Sequence, residues 1–321
     1  MTASPGGQAQ SYRGDAFGLE IESDWPLTGA TSARGTSPAP PAVTRVRRLP
    51  TAAFDHAAGQ RAERILEHRD GDGPVSFTVD RSPDHYRFWL QGFGRYLVAT
   101  DGGLIGCELG AAELAQHERF VLAHALPVAA VLQGYEVLHA SAIASDGGAA
   151  AFAGPSGTGK TRMASRLVAR GAGFLTDDVL AVEAAQGHIR AHPGPAFMSI
   201  RHDDADMLAE IGGRLGSDAG ATDKVHISPP RRGEVSRLQA VYHIEWGDRF
   251  EIAPLPRADF NRVLALSFVP YLATPERLTR HLAIAQLVSA DVAQFRLRTP
   301  GPWLAEEMLA QLEAHILDAT A

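Results

Sequence analysis

The chain has 321 residues, of which 45% are hydrophobic and 21% charged, and its net charge is −7 at neutral pH. This length and composition indicate a globular protein with room for two domains, each with its own core. A negative net charge without a basic stripe disfavours nucleic acid as the main partner.

Cysteine content and hydropathy predict a cytoplasmic protein. The single cysteine, Cys107, excludes an internal disulfide framework and fits a reducing compartment. The first 20 residues are polar and glycine-rich, so we expect no secretory signal. The longest apolar run, Phe120 to Leu132, contains His124 and Pro127 and is too short to cross a bilayer, so we expect no membrane association.

Residues 1–110 predict a β-rich domain. A flexible tail is expected at residues 1–11, and the Ser-, Pro- and Ala-rich stretch from Gly29 to Val43 predicts a linker. Alternating apolar and polar residues from Ala16 to Ser23 predict a strand. Further strands are expected at Val43–Arg48, Pro74–Asp80, His85–Leu90, Tyr96–Thr100 and Leu104–Leu109. Because no motif here carries identifiable chemistry, this region is a candidate substrate-docking surface.

Residues 111–321 predict a second domain in which helices and strands alternate. A helical pattern from Ala111 to Leu132 leads into a strand at Tyr135–Ala144, which contains His139. Strands at Ile189–Ala191 and Met198–Ile200 are expected to continue the same sheet. The remaining predicted elements are a strand at Leu238–Glu245 and amphipathic helices at Pro275–Ser289 and Trp303–Leu317.

The strongest motif is Gly154-Pro155-Ser156-Gly157-Thr158-Gly159-Lys160-Thr161, a complete G-x-x-x-x-G-K-[ST] pattern. An apolar run precedes it and a helix-forming run follows, which is the context the motif needs. Glycines allow a tight turn whose N–H groups face an anion, and the helix N-terminus also favours phosphate. The predicted phosphate contacts are Gly154, Ser156, Gly157, Thr158, Gly159, Lys160 and Thr161, with Lys160 at the β/γ-phosphates and the Thr161 hydroxyl on Mg²⁺.

An acid pair, Asp177-Asp178, follows Lys160 by 17 residues and precedes the apolar run Val179–Val182. This order predicts that the pair lies at the start of a strand. Adjacent strand residues point to opposite faces, so one acid must leave the pleat or the two must divide the work of base and metal ligand. The structural alternative is a turn or N-cap pair.

A glycine- and proline-rich segment from Gly212 to Gly233 predicts a long loop, and such loops are often functional lids. Lys224 is a candidate phosphate contact there, and a solvated surface lysine is an equally good interpretation. Arg231 and Arg232 are candidates for holding acidic groups of a peptide.

His139 on its strand, the glycine-rich loop and Asp177-Asp178 together resemble the C-terminal catalytic domain of the HPr kinase/phosphorylase family and its kinase-like relatives. The resemblance is strong from Leu138 to Val182 and weak over the longer range from the helix before His139 to the C-terminus. It implies an α/β P-loop kinase domain with a central mixed sheet flanked by helices, beside a β-rich α+β N-terminal domain. The chain departs from the family at Thr161-Arg162, where those kinases usually carry Ser-Glu.

The resemblance implies a kinase that uses ATP and Mg²⁺ to phosphorylate a hydroxyl, in that family a serine, on a peptide or small protein. Its implied catalytic residues are His139, Lys160, Asp177 and Asp178. Asp177 would work with His139 on the proton of the attacked hydroxyl, and Asp178 would lie near the metal with Thr161. The residues alone leave open which aspartate is the base.

Two other functions fit the same loop: a kinase for a small-molecule hydroxyl, and a nucleotide-dependent switch with slow hydrolysis. The His–Asp–Asp set disfavours the switch, because nucleotide binding alone does not need it. A homo-oligomer is compatible with the sequence, which does not determine the oligomeric state.

Overall fold

The computed structural model describes residues 11–27, 29–30, 43–69, 71, 73–108, 114–201, 214–218, 224–229, 234–256, 260–301 and 304–320. Side chains are described for these residues except 115, 116, 201, 214–218 and 224–226. The described residues do not include residues 1–10 of the tail expected at 1–11, most of the linker, Arg231, Arg232 or Trp303.

The N-terminal part of the described chain forms one eight-stranded sheet with the strand order β1-β2-β3-β8-β7-β6-β5-β4. The strands are β1 (Tyr12–Ala16), β2 (Leu19–Ser23), β3 (Val43–Arg48), β4 (Glu63–Arg69), β5 (Val75–Arg81), β6 (His85–Leu90), β7 (Gly94–Ala99) and β8 (Leu104–Cys107), with helix α1 (Thr51–Gly59) after β3. Both α1 and β4 were missed by the sequence analysis, because neither carries a clear apolar periodicity.

The predicted single strand from Ala16 to Ser23 is wrong, because the chain turns back on itself inside it. Ala16 pairs with Leu19, and Phe17 and Gly18 between them have φ angles of 57° and 82°. Phe17 is buried, so the turn is hidden within an apolar run. The left-handed backbone at two successive residues makes the tight hairpin.

A nearly continuous helical stretch follows the first sheet and packs against it. It consists of α2 (Leu114–Phe120), a π-helical turn (Val121–Ala125) and α3 (Leu126–Leu132). This agrees with the predicted helix over the described residues. The rings of Tyr96 and Phe120 stack with centroids 3.8 Å apart, and one hydrophobic cluster joins sheet and helix. The apolar core therefore runs across residue 110, and the expected division into domains at that point stays a prediction.

The rest of the described chain contributes twelve strands and four helices. The strands are β9 (Glu136–Leu138), β10 (Ala140–Ser145), β11 (Gly148–Ala153), β12 (Gly173–Thr176), β13 (Leu180–Ala185), β14 (His188–His192), β15 (Met198–Arg201), β16 (Arg214–Asp218), β17 (Lys224–Ser228), β18 (Ser236–Trp246), β19 (Glu251–Pro254) and β20 (Ala293–Thr299). The helices are α4 (Lys160–Ala169), α5 (Phe260–Leu264), α6 (Pro275–Asp291) and α7 (Glu306–Thr320).

A second, mixed sheet has the order β12-β10-β11-β18-β14-β13-β9, with β20 beside β18 and β19 beside β20. In β11, Phe152 belongs to the cluster that includes residues of α4 and α7, whereas Ala151 and Ala153 belong to the cluster that includes residues of α6. Side chains of a strand alternate between faces, so β11 is covered on both sides and its residues are small and apolar. The mixed α/β class is thus confirmed, while the finer assignment as an HPr-kinase-like P-loop domain stays a prediction.

Two predictions for the following segment are wrong. Ile189–Ala191 does belong to the second sheet, but Met198–Ile200 lies in a separate small sheet with the order β15-β17-β16. Pro193 and Pro195 stand between β14 and β15, and proline interrupts a hydrogen-bonded ladder. The segment from Gly212 to Gly233 is not simply a loop, because β16 and β17 lie within it. The alternation in β17, where Ile227 is fully buried, was the signal for a strand.

The C-terminal predictions agree with the structure within a few residues, although β19, β20 and α5 were missed. None of the helices in the described ranges combines the length and the apolar character needed to cross a membrane.

Candidate functional site

The glycine-rich loop connects the C-terminal end of β11, an inner strand of the second sheet, to α4. Gly154, Gly157 and Gly159 have φ angles of 153°, 84° and 97°, which only glycine adopts freely. A Cβ on Gly154 would lie 2.9 Å from the carbonyl oxygen of Ile244, so the loop passes too close to β18 for any side chain there. The predicted strand–loop–helix context is therefore present, with the loop at the N-terminus of α4.

Lys160 is folded back over the loop. Its Nζ donates hydrogen bonds to the carbonyl oxygens of Gly154 at 2.8 Å and Pro155 at 3.2 Å, and the residue is 6% exposed. The Thr158 hydroxyl also donates to Pro155 O, at 2.8 Å. Ser156 and Gly157 are exposed at the tip. The lysine is thereby held beside the place where the motif predicts phosphate.

Asp177 accepts hydrogen bonds from three elements of the fold. Its Oδ1 accepts hydrogen bonds from the Ser141 hydroxyl of β10 at 2.8 Å and from the Thr161 hydroxyl of α4 at 2.7 Å. Its Oδ2 accepts one from the backbone N–H of Ser199 in β15 at 3.0 Å. The carboxylate therefore lies directly against the first turn of the loop helix.

The expectation that the acid pair begins a strand is wrong. Strand β12 ends at Thr176 and β13 begins at Leu180, so both acids lie in the connection. Asp178 has a φ angle of 67°, and the N–H of Val179 donates to Asp177 O at 2.8 Å. This left-handed residue turns the chain so that the two carboxylates take different partners.

Asp178 faces His139 instead of Thr161. Its side chain is 60% exposed, and its Oδ1 lies 3.4 Å from His139 Nδ1. The expectation of one strand from Tyr135 to Ala144 that contains His139 is wrong, because His139 lies in the bend between β9 and β10. Its N–H donates there to Leu266 O at 2.6 Å. Its ring stacks on Phe268 with centroids 5.8 Å apart. The structure thus places His139 beside Asp178, and both side chains are accessible to solvent.

The electrostatics of the two acids follow from these surroundings. Burial raises the pKa of Asp177, and the neighbouring charge of Asp178 raises it further, against the opposing hydrogen bonds from Ser199, Thr161 and Ser141. Among the described residues no cationic side chain forms an ion pair with Asp177. A carboxylate that is disfavoured as an anion and has no cation beside it among the described side chains is suited to bind a metal ion.

The oxygen atoms of Thr161 and Asp177 fit a Mg²⁺ ion, since Mg²⁺ takes oxygen ligands and is usually held by one or two carboxylates plus substrate phosphates. No cluster of three or more His, Cys, Asp or Glu residues that could form an all-protein metal cage exists within the described part of the chain. The donor set therefore suits a metal shared with a nucleotide.

A buried ion pair supports the segment 266–272 behind His139. Glu136 in β9 is fully buried, and Arg277 of α6 donates hydrogen bonds to both of its carboxylate oxygens. Arg277 also donates to the carbonyl oxygens of Val269 and Leu272, the latter at 3.2 Å, and to Ser267 Oγ at 2.8 Å. The pair therefore ties the segment that carries Phe268 to the strand that leads to His139.

A second histidine lies near the acid pair and was not recognised from the sequence. His124 is in the π-helical turn, against the rings of Phe120 and Phe77. Part of its surface is exposed, but the surrounding protein atoms desolvate the ring and lower its pKa to about 4, although the Asp178 carboxylate acts to raise it. Isolated π-helical turns are frequent at functional sites, but the apolar run around His124 gave no such signal.

The structure thus brings Thr161 to Asp177 and His139 to Asp178, with Lys160 at the same end of the sheet as Thr161. Ser141 and Ser199 were missed, because isolated serines on strands carry no sequence signal. Only the backbone of Lys224 is described, in β17, so its predicted phosphate contact lies outside the described side chains.

Comparisons with known proteins give little further information. No protein-family model and no curated protein matches the sequence. Among solved structures, the Hpr(Ser) kinase/phosphatase from Coxiella burnetii is similar at 10% identity over 57% of this chain and 95% of that chain. The TM-score is 0.29, which is too low for the similarity to carry an argument about fold or activity.

Proposed function

We propose that the chain is a phosphotransferase that moves the γ-phosphoryl group of ATP to a hydroxyl, most favourably a serine, of a peptide or small protein. The observation that carries this proposal is the 2.7 Å hydrogen bond between Thr161 Oγ1 and Asp177 Oδ1. It joins a complete phosphate-binding motif to the acid pair, which a chance glycine-rich turn would not do.

The loop would bind the phosphates of ATP. Its backbone N–H groups and the N-terminus of α4 favour anions, and Lys160 would exchange the carbonyl oxygens of Gly154 and Pro155 for the β/γ-phosphates. Binding and alignment of the phosphates account for most of what a protein contributes to this reaction.

Thr161 and Asp177 would hold the metal, which reverses the roles that the family resemblance implies for the two aspartates. Mg²⁺, when bound, supplies positive charge that neutralises the charge on the transferred group. The hydrogen bonds from Ser141 and Ser199 fix the Asp177 carboxylate in orientation, as supporting donors commonly do for metal ligands.

Asp178 would act on the acceptor. In the transfer the acceptor oxygen forms a bond to the γ-phosphorus, the bond from that phosphorus to the ADP oxygen breaks, and the hydroxyl proton passes to Asp178. His139, 3.4 Å from Asp178 Oδ1, would orient that carboxylate, and its stacking on Phe268 limits the rotation of the ring.

The test is transfer from radiolabelled ATP, with Mg²⁺, to serine-containing peptides, free serine and simple sugars. Lys160→Ala should lower transfer by about 10³-fold or more, because it removes the cation that faces the phosphates. Asp146→Asn, at an exposed acid in the turn between β10 and β11, is the matched control and should transfer at the wild-type rate.

Each outcome of this assay decides between functions. Label on peptides supports the proposal, and faster labelling of a free metabolite replaces it with a small-molecule kinase. Label released only as inorganic phosphate, whatever acceptor is offered, favours a nucleotide-dependent switch. Wild-type transfer by Lys160→Ala would refute the assignment of the loop.

A further inference from the structure

A cavity of about 950 Å³ lies between the β4–β5 edge of the first sheet and the N-terminal end of α6. The charged side chains that line it are Arg61, Arg81, Arg277, Arg280, Glu63 and Glu276. It is separate from the glycine-rich loop, and none of the residues assigned above to phosphate, metal or proton transfer lines it. With four guanidinium groups and two carboxylates, the lining of the cavity has a net positive charge.

Two of these arginines already form ion pairs with glutamates of the protein. Arg81 Nη2 lies 2.7 Å from Glu63 Oε2, and Arg277 is bound to the buried Glu136. Arg61 is exposed and forms no ion pair in the part of the chain that the structure describes. Arg280 donates from Nη2 to Val131 O at 2.6 Å, while its Nε is buried with no hydrogen-bond partner among the described atoms. Arg61 and Arg280 therefore remain to bind an anion, with only Glu276 opposing them.

The size of the cavity favours a peptide ligand over a small anion. Clefts of roughly 300–1,000 Å³ accommodate drug-sized ligands, and a phosphate ion would fill a small part of such a space. Guanidinium groups bind carboxylates through paired hydrogen bonds, so Asp and Glu side chains are suitable occupants.

Recognition here would use side chains, because the neighbouring strand edge is poorly suited to pair with a peptide. β4 is the outermost strand of the first sheet, and its pairing with β5 shifts register after Arg64 and again after His68. Irregular, charged edge strands resist the addition of another strand.

The cavity is connected to the candidate active site through the segment 266–272. Leu272, at one end, lines the cavity, and its carbonyl oxygen accepts from Arg277. At the other end Leu266 O accepts from the N–H of His139, and Phe268 stacks on the His139 ring. A peptide bound in the cavity would thus be separated from His139 and Asp178 by the segment 266–272.

We propose that this cavity, named here the arginine cleft, binds an acidic stretch of the peptide acceptor at a distance from the phosphorylated hydroxyl. The identity of the occupant as the acceptor rests on the proposed phosphotransferase function, whereas its acidic character rests on the cleft alone. The substrate class then becomes peptides with a hydroxyl residue and a separate run of Asp or Glu.

The experiment measures binding of a fluorescent oligo-glutamate peptide by anisotropy, with oligo-glutamine as the neutral probe. Arg61→Glu should weaken oligo-glutamate binding about tenfold, equivalent to about 1.4 kcal/mol, and Arg61→Lys should restore most of it. Arg69→Glu is the matched control, since Arg69 is exposed at the far end of β4 and the change in net charge is the same. We expect its affinity to stay within about twofold of wild type, because charges beyond a Debye length are screened.

Three results would overturn the inference: no binding of oligo-glutamate, equal weakening by Arg61→Glu and Arg69→Glu, or displacement of the peptide by inorganic phosphate at matched charge concentration. The last would leave a small-anion site in place of a peptide site.

A separate arm distinguishes this inference from the proposed function. Lys160→Ala should bind oligo-glutamate like wild type while losing ATP affinity in calorimetry. If wild type binds the peptide but not ATP, the phosphotransferase proposal fails and the cleft stands. If it binds ATP but not the peptide, the cleft inference alone fails.

Discussion

Glu136, which is fully buried, and Asp177, which is half-buried, are two carboxylates with opposite surroundings. Burial alone would raise the pKa of Glu136, but contacts from His281 and Arg277 outweigh it and lower the pKa. Asp177 is met by two hydroxyls, one N–H and a second acid, and its pKa is raised.

Under the proposed function, the difference separates a structural acid from a functional one. Glu136 has a complete set of partners supplied by the fold, and these hold the segment 266–272 in place. The charge of Asp177 is left without a described cation, an arrangement that stability alone would not favour and that is common where a protein binds a cation or performs chemistry. We therefore expect changes at Asp177 to affect activity and changes at Glu136 to affect folding.

The largest expected effect is on transfer at Asp177. Asp177→Asn keeps the size of the side chain but removes the charge proposed to hold Mg²⁺, so transfer should fall roughly 10²–10⁴-fold and its Mg²⁺ requirement should shift to higher concentration. Because the raised pKa means that ionisation of Asp177 opposes folding at neutral pH, the thermal midpoint should not fall substantially. Kinetics at varied Mg²⁺ and thermal unfolding measure the two quantities.

Asp178→Asn, in the same turn, is the variant to compare with Asp177→Asn. It should lower transfer while leaving the Mg²⁺ dependence near that of wild type. The reverse pattern, with Mg²⁺ dependence altered at Asp178 and not at Asp177, would restore the roles that the family resemblance implies.

The second effect is on stability at Glu136. Glu136→Gln leaves the Arg277 guanidinium buried without its counter-charge, and breaking such a pair typically costs about 3–5 kcal/mol in free energy of unfolding. Glu183→Gln is a matched control, since Glu183 also contacts a histidine and an arginine, His192 at 3.0 Å and Arg190 at 3.6 Å, but is partly exposed. We expect about 1 kcal/mol or less there. Equal losses in urea denaturation would remove the distinction between the two acids.

A smaller effect is expected where the Glu136 network reaches the site. Phe268→Leu keeps an apolar side chain but removes the ring stacked on His139, so transfer should fall about tenfold through lost orientation. ATP affinity, measured by calorimetry, should stay at the wild-type value. A parallel loss of ATP affinity would show that Phe268 acts on the fold of the loop instead.

The effect of least consequence at neutral pH is a pH dependence of stability at His124. With its pKa lowered to about 4 from an ordinary value near 6.5, the folded protein binds fewer protons than the unfolded chain between these values. The stability contributed by neutral His124 is therefore present above pH 6.5 and is lost as the pH falls toward 4. NMR titration of the ring should give a midpoint near 4, and Asp178→Asn should lower it further. A midpoint near 6.5 would contradict the placement of His124.

The loop and its helix were predictable because their signals are local. Gly154, Gly157 and Gly159 supply backbone conformations that few other residues adopt, and Lys160 follows at the start of α4. Each of these requirements acts within a few residues, so the order of residue types in the chain is sufficient to predict strand, loop and helix.

Tertiary structure decided the partners of the acids, because contacts between distant residues leave no pattern in the chain. Asp177 meets Ser141 and Ser199 from two other strands, and Arg277 reaches Glu136 across 141 residues. The left-handed backbone at Asp178 directs the two neighbouring carboxylates to different partners. Spacing could predict that the acids share a site with Lys160, but only packing determines that Thr161 binds Asp177 while His139 faces Asp178.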